Sequence, residues 1–252
     1  MLHPADTPTF MTTDGRRIAY HLTDGTGPAV VFLGGFKSDM QGTKAVHLEA
    51  WAKREGRAFL RFDYSGHGES DGAFADGAIG DWFADARAAI DLLAGPVVLV
   101  GSSMGGWISL LLSREIPDRI AGLVTIAAAP DFTEDSMWAS FDAAQKAALD
   151  TDGQVALPSD YGEPYIITKR LIEDGRNQLV LRDPLSLPFP TRFLQGTADK
   201  DVAMSVALRL LDHAEGPDMR LTLVDGADHR FSDDACLNLI TTAVSEVLAA
   251  ST

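Results

Sequence analysis

A single cysteine, Cys236, stands among the 252 residues. An internal disulfide is therefore excluded, and so is a metal site built on thiolates. Cys236 falls in an apolar helical pattern near the C-terminus and reads as a packing residue. Basic charge is also scarce, with 21 Lys and Arg against 36 Asp and Glu, a formal net charge of −15. No basic field is left to neutralise phosphates, which argues against a nucleic-acid partner and against docking to anionic membranes. The acidic balance reads as solubility. No apolar run approaches the length of a membrane span. Met1 to Phe10 hold neither a basic n-region nor an apolar core, so no secretory signal is read and the cytoplasm is the expected compartment. Internal repeats and low-complexity tracts are missing as well. What is left, 46% hydrophobic and 23% charged residues, suits one large α/β domain or one domain with an insertion.

Strand and helix patterns alternate through the first half. Thr9–Thr13 and Arg16–Leu22 flank Asp14-Gly15 and read as a hairpin. Ala29–Leu33 is a continuous apolar run, as in a strand buried on both faces, and ends in Gly34-Gly35-Phe36. A helix pattern from about Thr43 to Arg54 follows, stopped by Gly56, and then a strand, Arg57–Phe62. The turn-rich loop Asp63–Gly72 leads to a helix from about Ile79 to Leu93, the strand Pro96–Val100, a helix after Gly106, and the strand Ile120–Ile126. Such alternation predicts a mostly parallel, doubly wound sheet. It breaks at Asp131. Helices are expected from about Met137 to Leu149 and from about Pro164 to Glu173, with loops at Asp152-Gly153 and Pro158 and a return linker at Pro184–Pro190. Alternation then resumes, with strands Thr191–Gln195 and Arg220–Val224 and helices Met204–His213 and Asp233–Leu248. The expected organisation is a core from 1–130 and 191–252, with 131–190 inserted as a cap over the binding crevice.

The chemistry is concentrated at Gly101-Ser102-Ser103-Met104-Gly105, a Gly-x-Ser-x-Gly element between an apolar strand and a helix. Strand, tight turn and helix are the context that gives this pentapeptide a mechanism: the central serine is held strained and exposed at a helix N-terminus. Ser103 holds the centre, and Ser102 sits at the flanking position. A serine hydroxyl needs a base, and the base an orienting carboxylate. Among six histidines, His229 follows the last strand and reaches the same sheet edge as Ser103. His67, in the loop after another strand, is the alternative. His3 lies at the terminus, His21 in a strand, and His47 and His213 in helix patterns. Asp199 and Asp201 both follow the penultimate strand, in the chain order Ser, Asp, His. Asp201 is nearer the helix starting at Met204, so capping suits Asp201 and orienting the base suits Asp199. An oxyanion needs two preorganised donors. The backbone N–H of Met104 is one, and that of Phe36, after Gly34-Gly35, the other.

These residues, with Asp63-x-x-Gly66-x-Gly68-x-Ser70, Gly196-x-x-Asp199-x-x-Val202 and Asp228-His229, resemble the α/β-hydrolase family over nearly the whole chain. Arg61–Gly66, Gly101–Trp107, Gly42–Ala45 and Leu157-Pro158-Ser159 are similar to the abhydrolase-domain branch that includes the mitochondrial palmitoyl-protein thioesterase, or acyl-glucuronide esterase. The resemblance places the triad acid at Asp199. It implies hydrolysis of carboxylic esters or acyl thioesters through a Ser-His-Asp triad and an acyl-enzyme. Many family members have His-Gly where this chain has Gly34-Gly35. No organelle-targeting segment is visible, so the mitochondrial address is not carried over. The expected protein is thus a serine hydrolase acting on a small-molecule acyl substrate, with no cofactor and no metal. A carbon–carbon bond hydrolase or lactonase on the same triad, or a non-catalytic ligand-binding relative, are the alternatives. Trp138 and Phe141, on the first helix of the insertion, are candidate walls of the substrate pocket.

Overall fold

The computed structural model describes residues 7–157 and 164–251. His3, the loop marker Pro158 and Pro158-Ser159 of the family resemblance lie outside the described residues. Strands β1 (Thr9–Thr13) and β2 (Arg16–Thr23) form the expected hairpin. Its turn residues Asp14 and Gly15 both have positive φ, 47° and 77°, the conformation that matches the twist of the flanking strands. Then come β3 (Thr26–Leu33), α1 (Thr43–Arg54), β4 (Arg57–Phe62), α2 (Ile79–Asp91), β5 (Val97–Ser102), α3 (Met104–Glu115) and β6 (Ile120–Ile126). After them lie α4 (Ala143–Asp152), β7 (Gln154–Leu157), β8 (Tyr165–Thr168), α5 (Lys169–Asn177) and β9 (Leu185–Ser186). The chain closes with β10 (Thr191–Gly196), α6 (Met204–His213), β11 (Ala214–Glu215), β12 (Met219–Val224) and α7 (Asp234–Ala250).

The main sheet has the order β1-β2-β4-β3-β5-β6-β10-β12. The β1–β2 and β2–β4 pairs are antiparallel, and every other pair is parallel. Its central strands are apolar on both faces because helices cover both. Val31, Leu33, Val97 and Leu99 pack with residues of α2 and α3, including Trp82, Ile108 and Leu111. Val30, Phe32, Val98 and Val100 pack on the other face with α1 and α7, through Leu48, Trp51, Ile240 and Val244. The two sets alternate along each strand, as the two-residue period of a strand requires. Cys236 is buried in the α7 layer, and burial pushes its thiol up to about 11. No described helix is long and apolar enough to cross a membrane.

The inserted segment departs from expectation in three places. The single helix expected over Met137–Leu149 is broken: Thr133–Trp138 forms a wide helical turn, and α4 begins only at Ala143. Asp142 starts α4 by a capping box, accepting from Gln145 N–H while the Gln145 side chain accepts from Asp142 N–H. The helix expected from Pro164 is a strand at first. Tyr165-Ile166-Ile167-Thr168, aromatic and β-branched, pairs antiparallel with Gln154–Leu157, and Thr168 then caps α5 by accepting from Leu171 N–H. The return linker also contributes a two-residue strand, β9, paired with β11. Because β3, β4, β5, β10 and β12 run in parallel, the loops that leave them gather at one sheet edge.

Candidate functional site

Ser103 sits between β5 and α3 with φ 54° and ψ −117°, a conformation L-residues rarely adopt. Its neighbours hold it there: its N–H donates to Ile126 O at 2.9 Å, and its carbonyl accepts from Gly106 and Ala129 N–H at 2.9 and 3.1 Å. Strand and helix close so tightly that a Cβ on Gly101 would lie 2.3 Å from Gly105 O, and one on Gly105 would lie 2.1 Å from Leu33 O. Ser103 makes no side-chain cap bond to α3, so its hydroxyl is directed to other work.

That hydroxyl lies 3.2 Å from His229 Nε2, and His229 Nδ1 lies 2.9 Å from Asp199 Oδ2. The three side chains come from the loops after β5, β10 and β12. The Asp199 side chain is fully buried, while His229 keeps 20% of its side chain exposed. Burial alone would push the Asp199 carboxyl up. The hydrogen bonds from His229, from Val202 N–H and from the Gln195 amide outweigh burial and hold it below the ordinary carboxylate value. Asp201 N–H and Val202 N–H both donate to Asp199 Oδ1, at 2.9 and 2.8 Å, and Gln195 Nε2 donates to Oδ2 at 3.0 Å. Sequence reasoning missed Gln195, because a polar residue ending a buried strand carries no local sign of its partner. Asp201 does not cap α6: Ala203 is the N-cap, with no side-chain cap bond, and Asp201 is exposed at the pocket rim. The sequence places Asp201 nearer the helix, but its side chain is turned to the cavity while its N–H supports Asp199.

One oxygen each from Asp199 and Asp201 and one nitrogen of His229 lie within 4.8 Å of one another, a spacing a metal ion could bridge. A cation there would compete for the Asp199 oxygen and His229 nitrogen that the Ser103–His229–Asp199 chain uses.

The turn after β3 faces Ser103. A Cβ on Gly35 would lie 3.4 Å from Ser103 Cβ, so the backbone runs close to the hydroxyl. Phe36 is wedged edge-on among Phe74, Trp82, Phe132 and Tyr165, with ring centroids 4.8–5.9 Å away. His67, the alternative base, does not reach Ser103. Its Nε2 accepts from Lys37 N–H at 3.1 Å and its Nδ1 bonds Ser65 O at 3.1 Å. The loop bearing His67 is itself tied down by Asp63, whose carboxylate accepts from Met40 N–H at 2.6 Å and Glu69 N–H at 2.9 Å.

A cavity of about 530 Å³ opens over Ser103 and His229. Phe36, Phe132, Met137 and Tyr165 give it an apolar wall, and Lys37, Lys44 and Arg230 a basic one. Lys44 donates to Arg230 O at 2.5 Å. Burial, and then the Arg230 charge, lower its amine to about 8. Trp138 and Phe141 do not line this cavity. Phe141 is buried beneath the segment, and Trp138 packs against it at 6.3 Å, with Lys146 and Arg176 over the indole. Both rings anchor the segment because the break after Trp138 turns that face inward, leaving Phe132 and Met137, on the preceding turn, at the cavity.

The family model described as "Hydrolase_4: Serine aminopeptidase, S33" matches residues 27–161. The palmitoyl-protein thioesterase ABHD10, mitochondrial, of Rattus norvegicus is 33% identical over 234 residues, 92% of this chain and 78% of that protein. The solved structure of mouse alpha/beta hydrolase domain-containing protein 10 is 30% identical, with a TM-score of 0.90 over 98% of this chain and 100% of the other. A solved structure from Agrobacterium vitis S4 is 38% identical, with a TM-score of 0.92 and the same coverage. The relatives correct one expectation. The rat protein and its counterparts in Mus musculus, Bos taurus and Homo sapiens are all named as mitochondrial, which overturns the cytoplasmic address. The composition of Met1 to Phe10 is no guide to compartment.

Proposed function

The chain belongs to the Hydrolase_4 family of α/β-hydrolases, and from that premise we propose that it cleaves carboxylic esters or acyl thioesters through Ser103, His229 and Asp199. The observation that carries this reading is the continuous hydrogen-bond chain from Ser103 Oγ through His229 to the buried Asp199 carboxylate. In the proposed reaction, Ser103 Oγ attacks the acyl carbon while His229 Nε2 takes its proton. Asp199 holds the Nδ1–H and stabilises the imidazolium. The carbonyl oxygen gains charge as the tetrahedral intermediate forms, and the N–H groups of Phe36 and Met104 receive it. His229 then gives its proton to the departing alcohol or thiol. Water enters and gives its proton to His229 as it adds to the acyl carbon; the Ser103 Oγ–acyl bond then breaks, His229 returns the proton to Oγ, and the free acid leaves.

The acyl chain is proposed to lie along Phe36, Phe132, Met137 and Tyr165, away from the lysines. Residues 131–190 act in this reading as the cap, because Phe132, Ser136, Met137 and Tyr165 all come from it. The name of the rat relative, a palmitoyl-protein thioesterase, makes acyl thioesters the first substrates to try. The test is turnover of paired p-nitrophenyl esters and acyl thioesters by wild type and Ser103→Ala. Loss of about 10^3-fold or more in kcat is expected if the three side chains act as a unit. Retained turnover in Ser103→Ala rules the reading out.

A further inference from the structure

His67 is a buried titratable side chain at this sheet edge without a task in the proposed reaction. It is 4% exposed, with its ring edge-on to Tyr64, Phe74 and Trp82. Both ring nitrogens are engaged with backbone: Nδ1 with Ser65 O and Nε2 with Lys37 N–H. One tautomer satisfies both, with the proton on Nδ1 and the lone pair on Nε2. Burial lowers the His67 pKa, which keeps Nε2 an acceptor, while the bond to Ser65 O and then the Asp85 charge oppose that.

The group it grips belongs to a strained turn. Ser38 N–H donates to Gly35 O at 3.1 Å, closing a four-residue turn with Lys37 at its third position and φ +58°. A positive φ there is costly for a residue other than Gly or Asn and persists where something outside the turn fixes it. The His67 bond is one such fixture, beside the rings of Phe74 and Tyr165 under the Lys37 amine. It holds the peptide between Phe36 and Lys37, while the rings of Phe74, Trp82, Phe132 and Tyr165 hold the Phe36 side chain. The far side of His67 rests on a rigid support: Ser65 O also accepts from Trp82 Nε1 at 3.0 Å, and Ser65 N–H donates to the buried Asp85 at 2.8 Å.

We infer that His67 is a positioning residue for the reaction: by accepting the Lys37 N–H it holds the Gly35–Ser38 turn so that the Phe36 N–H meets the oxyanion. This rests on the serine-hydrolase reading, in which Phe36 N–H is an oxyanion donor. His67 touches no reacting atom; it acts through Lys37 and Phe36.

The test compares wild type with His67→Phe, which keeps the ring packing and lacks the acceptor, and His67→Gln, whose side-chain oxygen replaces it. Ser103→Ala is run beside them. Four quantities are measured: kcat, KM, the affinity for a trifluoromethyl ketone that adds to the serine as an oxyanion, and the affinity for the product acid. His67→Phe is expected to lower kcat by about 10- to 100-fold, less than outright loss of an oxyanion donor, with KM within about twofold. Ketone affinity falls by a similar factor, while product affinity stays put. His67→Gln recovers most of both losses. A role in stability alone would weaken ketone and product together or leave Gln as impaired as Phe, and either result overturns the inference. Wild-type kcat in His67→Phe, with Ser103→Ala dead, overturns it while sparing the hydrolase reading. Turnover by Ser103→Ala overturns both.

Discussion

Replacing Asp199 by Asn removes one charge, reverses one hydrogen bond and abolishes another. Oδ1 already accepts from Asp201 and Val202 N–H, so the amide oxygen takes that place. The amide NH2 then stands where Oδ2 accepted from His229 Nδ1 and Gln195 Nε2. Facing a donor, His229 turns to the tautomer with Nε2 protonated and loses its capacity to accept from Ser103. Loss of the right tautomer in a serine triad costs about 10^4 in kcat. The stability cost is separate. Gln195 Nε2 keeps Gly196 O and Val202 O as acceptors, so one donor is weakened rather than stranded. A loss of about 1–2 kcal/mol is expected, a fall in Tm of roughly 2–8 °C for a chain of this size. Asp201→Asn keeps the backbone N–H that supports Asp199 and is expected to stay near wild-type kcat. The assay is kcat on a p-nitrophenyl ester beside a thermal melt for both variants. Near-wild-type kcat in Asp199→Asn, or a dead Asp201→Asn, refutes the assignment.

Asp131, fully buried, accepts from Val180 and Leu181 N–H at 2.8 and 3.0 Å and from Arg182 at 3.1 Å. Asp131→Ala strands two buried donors and is expected to cost about 3–5 kcal/mol, read as a fall in urea midpoint; an unchanged midpoint contradicts this. Lys44 titrates near 8, below its unfolded value of about 10.4. Between those values the unfolded chain holds more protons, so stability rises with pH. Lys44→Met is expected to lose that rise in urea titrations from pH 7 to 10 and to be more stable than wild type at pH 7. Tyr165→Ala and Met137→Ala, on the cavity wall, are expected to shift the ratio of long-chain to short-chain turnover, whereas Trp138→Ala lowers Tm and leaves the ratio unchanged.

What the sequence made legible is what local chemistry specifies. The Asp14-Gly15 hairpin, the apolar β-branched runs of β3 and β5, and the glycines that let β5 and α3 close around Ser103 each carry their own signal. The inserted segment was harder. The Asp142–Gln145 capping box marks where α4 starts, yet the apolar residues from Met137 onward masked it. The strand Tyr165–Thr168 depends on pairing with Gln154–Leu157, a contact between separated stretches. By contrast, the sequence shows that Ser103, Asp199, Asp201 and His229 all follow parallel strands at one edge, but it separates Asp199 from Asp201 by a capping role that Asp201 does not fill. The grip of His67 on Lys37, of Gln195 on Asp199 and of Asp131 on residues 180–182 joins loops that only the folded chain brings together.

Ser103 is proposed as the residue that becomes acylated. Mass spectrometry of the protein after a fluorophosphonate, with peptide mapping, tests it most directly. One adduct is expected, on the peptide carrying Ser103 and at that residue, absent in Ser103→Ala and slowed by about 100-fold or more in His229→Ala. An adduct on Ser102, or labelling that survives Ser103→Ala, would contradict it.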